Sequence, residues 1–138
     1  MSKKLDCILL VDDSEADNFL NQMTINEIGC TKHVVAVESA MEGLNYLKDS
    51  ESGVERKPDL IMLDINMPAV NGWEFIREYQ KLDNDFHGET KIVVLTSSQN
   101  PKDIERAFSF NEVSDFRNKP ITREMIQDIV LQFFPDYV

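Results

Sequence analysis

The sequence predicts an α/β domain built on an open parallel sheet with helices on both faces. Two observations carry this: five short runs rich in Val, Ile and Leu, and a stretch of helical apolar spacing after each of them. The runs are Cys7 to Val11, His33 to Val37, Leu60 to Leu63, Ile92 to Leu95 and, more weakly, Val113 to Phe116. They are nearly continuous where a half-exposed strand would alternate, which suits strands covered on both faces.

The first helix is expected from Ala16, Phe19, Leu20 and Met23, three or four residues apart, with Ser14 and Asp17 as a capping box at its start. Met41, Leu44 and Leu47 mark the second, capped by Ser39 with Glu42. Asp49 to Lys57, charged and containing a glycine, reads as a long surface loop before the third strand. Ile76 and Tyr79 mark the third helix, begun by Asn71 with Glu74, and Trp73 and Phe75 are expected to pack it. The fourth carries Ile104, Ala107 and Phe108 behind Asn100 and Asp103, with Pro101 at the first helical position, where its missing N–H does no harm. Met125, Ile126, Ile129, Val130 and Phe133 mark the fifth. Strand and helix alternating in this way implies right-handed crossovers.

A chain of 138 residues has the length of one ordinary domain, read here as 1–138 with its core at about 7–134. The net charge of −11 opposes direct binding to nucleic acid or anionic lipid. No stretch is apolar for long enough to span a membrane, and Met1 to Leu5 lacks the apolar core of a signal peptide, so a cytoplasmic protein is expected. Cys7 and Cys30 have no metal-binding spacing and are expected to be free thiols. His33 opens an apparent strand and His87 sits in a polar stretch, so both are read as structural or solvated.

In an open parallel sheet, ligands bind beyond the carboxyl ends of the strands. There the first strand ends in Asp12 and Asp13, the third in Asp64 and the fourth in Thr96, while Lys119-Pro120 follows the fifth. Carboxylates converging at about 4 Å repel by roughly 4 kcal/mol per pair at an effective dielectric near 20. A small hard cation such as Mg²⁺ would relieve this and leave room for phosphate oxygens, with Lys119 as a second positive charge. Protonation of one carboxyl is the alternative relief and would yield an acid catalyst. With Thr96 the set suits phosphoryl transfer, and Asp64, central by topology, is the best nucleophile candidate.

These residues resemble the receiver domains of two-component response regulators over about Cys7 to Phe134. Ile8-Leu9-Leu10-Val11-Asp12-Asp13 is similar to the family's first strand and acidic pair. Leu63-Asp64-Ile65-Asn66-Met67-Pro68 with Asn71-Gly72 resembles its phosphoacceptor strand and loop, and Val94-Leu95-Thr96-Ser97 and Phe116-Arg117-Asn118-Lys119-Pro120 resemble its remaining signatures. The resemblance implies a flavodoxin-like (βα)5 sheet in the order 2-1-3-4-5. It implies a stand-alone domain of the chemotaxis-regulator type, in which Asp64 takes phosphate from the phosphohistidine of a sensor histidine kinase or phosphotransfer protein. Asp13, Asp64 and the main-chain carbonyl of Asn66 would hold Mg²⁺ (or Mn²⁺), with Asp12 acting mostly through water. Thr96 would swing to the phosphoryl oxygens, Lys119 would pair with Asp64 or its phosphate, and the bond before Pro120 would be cis. Phe116 would then turn inward as the switch, altering a surface of the fourth helix, fifth strand and fifth helix that meets a downstream protein. Such a domain is not a turnover enzyme: it catalyses only its own phosphorylation and dephosphorylation. Asn66 and Ser98 lie where the family tunes the lifetime of the phosphoaspartate.

Two departures stand out. Phe116 has no hydroxyl, and Arg117 occupies a strand position that is usually apolar in the family. Among competing functions, a phosphatase of the haloacid dehalogenase type would place its nucleophile after the first strand with a second aspartate two residues on, where this chain has Asn66. A flavodoxin-like FMN carrier would need a Ser/Thr/Gly-rich loop after the first strand, where this chain has acids. A non-phosphorylated pseudo-receiver binding module is the remaining alternative.

Overall fold

A computed structural model describes residues 4–65, 72–82, 90–96 and 101–137. Asn66, Asn71, His87, Ser98 and Asn100, all named above, lie outside the described residues. The chain alternates β1 (Leu5–Val11), α1 (Glu15–Ile28), β2 (Thr31–Val37), α2 (Ala40–Glu51), β3 (Leu60–Asp64), α3 (Gly72–Gln80), β4 (Lys91–Thr96), α4 (Pro101–Phe108), β5 (Val113–Asn118) and α5 (Arg123–Phe133). The strands form one sheet in the order β2-β1-β3-β4-β5, with every pairing parallel. The fold class and order are those expected. The strands run one to two residues past most of the apolar runs, because ladder pairing continues into polar neighbours such as Asp64 and Thr96.

The continuous apolar runs are explained by a core on each face. Successive strand residues point to opposite sides. Leu9, Val11, Ile61, Leu63 and Val94 pack one way with Leu44 and Leu47 of α2 and Phe75 and Ile76 of α3. Ile8, Leu10, Met62, Val93 and Leu95 pack the other way with Ile25 of α1 and Ile126, Ile129 and Val130 of α5. Trp73 and Phe75 are both buried, as is Tyr79.

Helix α1 is turned away from the expected face. Phe19, Leu20 and Met23 are 63, 57 and 46% exposed, whereas Asn18 and Ile25 are buried. The cause is a backbone demand at the strand ends: Asn18 Nδ2 donates to the carbonyl of Asp12 at 2.9 Å and, at 3.3 Å, to that of Val37, which also accepts from Asp12 N at 3.1 Å. Met41, Ile104 and Phe108 are likewise exposed, while their helices bury Leu44, Leu47 and Ala107.

The caps at Ser14 and Ser39 accept from the N–H groups of Asp17 and Glu42, and Thr122 caps α5 in the same way. Neither acid closes its box on the cap residue's own N–H, however: Glu42 accepts from Glu38 N, and Ser14 N donates to Asp12. The stretch Asp49 to Glu51, expected as loop, continues α2, which ends at Glu51 with Ser52 as its C-cap, before Gly53 at φ +85°. Arg117 is accounted for by its neighbours: Nε donates to Asp115 at 2.6 Å, and the guanidinium reaches Asp128 on α5. An apolar side chain there would leave both acids without that cation.

Candidate phosphoryl-transfer site

Parallel pairing in register brings the strand ends to one edge. Leu63 pairs with Val11 and with Val94, so Asp64 stands between the Asp12-Asp13 corner and the end of β4, where Thr96 pairs with Asn118. Asp12, Asp64 and Thr96 are buried, whereas Asp13 is exposed.

Lys119 reaches across this edge. Its ammonium donates to Asp12 Oδ2 at 2.8 Å and to Asp64 Oδ2 at 3.1 Å. Its backbone is fixed too: Lys119 N donates to Thr96 O at 2.8 Å, and the Lys119–Pro120 peptide is cis. Burial by itself lowers the Lys119 pKa, but the hydrogen bond to Asp12 and the charges of Asp64 and Asp12 outweigh it and hold the group above the ordinary lysine range. The amine is therefore a permanent cation at neutral pH.

One ammonium does not balance these acids. A carboxylate oxygen from each of Asp12, Asp13 and Asp64 lies within 4.8 Å of the other two, an all-oxygen donor set of the kind that suits a hard divalent cation. Asp12 also accepts from Ser14 N at 2.9 Å through its other oxygen, which orients the carboxylate. Asp13 has no hydrogen bond or ion pair within the protein among the described residues, which leaves its carboxylate available at the rim.

The expected residues Asp12, Asp13, Asp64, Thr96 and Lys119 thus come to one edge of the sheet. Phe116 is half-buried one strand away, paired with Val94 and bordering a shallow groove with Ile104 and Phe108. His33 lies in β2 opposite Cys7, exposed. Sequence reasoning missed Asp17, read only as a cap partner, whose Oδ2 lies 3.4 Å from Lys119 Nζ. An acid one turn into a helix that starts beside an acidic pair was the available signal.

The profile of the response regulator receiver domain matches residues 8–131 of this chain. The chain belongs to this family. A two-component response regulator of Oryza sativa subsp. japonica is 30% identical over 122 residues, 87% of this chain and 52% of the rice protein, so the chain spans about half of that relative's length. The crystal structure of a two-component response regulator from Cytophaga hutchinsonii superposes with a TM-score of 0.86 at 30% identity, covering 94% of this chain and 97% of that one. A phosphorylated cyanobacterial phytochrome response regulator superposes at 0.76 with 28% identity, covering 96% of each chain. Receiver domains of two-component systems are phosphorylated by histidine kinases and generally bind a divalent metal, and this receiver carries the acidic cluster for one. Among the described residues no helix is long and apolar enough to cross a membrane.

Proposed function

We propose that Asp64 accepts a phosphoryl group from the phosphohistidine of a sensor kinase or phosphotransfer protein, with Mg²⁺ held by Asp13, Asp64 and the main-chain carbonyl of Asn66. The observation that carries this reading is the Lys119 ammonium, 3.1 Å from the Asp64 carboxylate beside two further acids. A carboxylate oxygen of Asp64 forms the new P–O bond as the P–N bond to the donor imidazole breaks, and the imidazole leaves with its electron pair and takes a proton. The ion, when bound, neutralises charge on the phosphoryl oxygens and offsets repulsion between donor and acids. Asp12 orients Lys119 through the 2.8 Å contact, and Lys119 stabilises the developing charge.

In this reading the hydroxyl of Thr96 then moves to a phosphoryl oxygen, and Phe116 turns toward the space released. The groove bordered by Ile104, Phe108 and Phe116 changes shape, and this α4-β5-α5 face meets the downstream protein. The chain is not a turnover enzyme in this reading: it catalyses only its own phosphorylation and dephosphorylation at Asp64. The likeness to a phosphorylated relative supports phosphorylation, and with the whole acidic set and the lysine in place the pseudo-receiver reading has no observation in its favour.

Acetyl phosphate with Mg²⁺ tests the reading by intact mass. The expected result is one phosphoryl adduct on the wild type and none on Asp64→Asn. No adduct on the wild type, or the same adduct on the variant, would overturn it.

A further inference from the structure

Lys119 is shared among three carboxylates, and the third belongs to α1 and not to a strand end: Asp17 Oδ2 lies 3.4 Å from Nζ. An acid at this position of a helix would ordinarily accept from the N–H of the cap residue. Here that N–H, on Ser14, donates to Asp12 Oδ1 at 2.9 Å, so the Asp17 carboxylate is released from the cap and turns to the lysine.

The ammonium has three N–H donors, and Asp12, Asp64 and Asp17 make three acceptors for them. A phosphoryl oxygen on Asp64 therefore requires one of these contacts to yield. The contact to Asp17 is the longest, and its carboxylate, 47% exposed, loses least on returning to water. We infer that Asp17 is a positioning residue that holds the Lys119 ammonium on the α1 side of the crevice, in competition with a phosphoryl group on Asp64. This rests on Asp64 being the phosphoacceptor. The α1 side is itself a groove in which Asp17 and Lys119 face each other beside Leu20, Thr24 and Pro120.

The test is a calorimetric titration of the full chain with beryllofluoride at saturating Mg²⁺, together with the ¹⁵N ammonium resonance of Lys119 without it. Asp17→Asn is expected to bind about two- to five-fold more tightly, the ratio expected from loss of one exposed ion pair. Asp17→Glu restores wild-type affinity, and Glu15→Gln, which removes a charge from the same turn without touching Lys119, leaves affinity unchanged. The ammonium resonance shifts in Asp17→Asn. Equal affinities for wild type and Asp17→Asn, or the same gain in Glu15→Gln, would overturn the inference. Should the wild type bind no beryllofluoride, the phosphoacceptor reading fails by itself. The resonance then decides: unmoved in Asp17→Asn, it removes the role of Asp17, and shifted, it leaves Asp17 as the holder of Lys119.

Discussion

The backbone N–H of Lys119 donates to the carbonyl of Thr96 at 2.8 Å, tying the chain just beyond β5 to the last residue of β4. The ammonium is thereby launched from a fixed point toward Asp12 and Asp64, two buried carboxylates.

Lys119→Met removes that cation and leaves the acids uncompensated. Breaking a buried pair in this way costs about 3–5 kcal/mol, and with the lysine side chain 20% exposed the lower end applies. The variant should therefore unfold at lower urea than the wild type when both are in chelator. Mg²⁺ should narrow the gap, since a ligand at 100 times its Kd stabilises by about 2.7 kcal/mol and a second cation relieves the same repulsion. Identical denaturation midpoints in chelator would show that the lysine does not hold the acids together.

Gly72 is required by the close approach of α3 to the end of β3. A Cβ there would lie 2.6 Å from Ile65 Cα and 3.0 Å from Asp64 O, both backbone atoms with no side-chain freedom to yield. Gly72→Ala is expected to lose about 1–3 kcal/mol by overpacking and, because the strain falls on the backbone of Asp64, to slow adduct formation with acetyl phosphate. Denaturant titration and timed mass spectra check the two effects. An alanine variant as stable and as reactive as wild type would contradict the geometry.

Alkaline pH should destabilise the fold through two tyrosines. Burial raises the pKa of Tyr46, whose hydroxyl is hydrogen-bonded to Cys7, and burial raises that of Tyr79 against a partly offsetting bond to Thr90. A folded-state pKa above the unfolded value means that stability is fully present below about pH 10 and is lost as pH rises through the folded value. Tyr46 also donates to Arg56 O at 2.6 Å, so Tyr46→Phe should cost about 1 kcal/mol at pH 7. The difference from wild type should shrink above pH 10. Denaturant midpoints for both proteins from pH 7 to 11.5 measure this, and a gap independent of pH would rule it out.

How far the sequence reached depended on whether the physical signal was local. Apolar runs such as Leu60 to Leu63 and caps such as Ser39 are local, since backbone pairing and orphan N–H groups make the same demands wherever the segment is placed. The strand ends therefore pointed to Asp12, Asp64 and Thr96 directly. The face of a helix that turns inward is not local: Phe19, Leu20 and Met23 have the right period, but the carbonyls of Asp12 and Val37 drew Asn18 inside instead.

The sequence by itself determined the alternation of strand and helix, the two-faced core and the gathering of acids at one edge, because periodicity and strand-end chemistry follow from residue order. Only the tertiary structure decided that Lys119 is divided among Asp12, Asp64 and Asp17 and that Arg117 bridges to Asp128. Such contacts join residues up to 107 positions apart, and their geometry depends on how whole helices settle on the sheet.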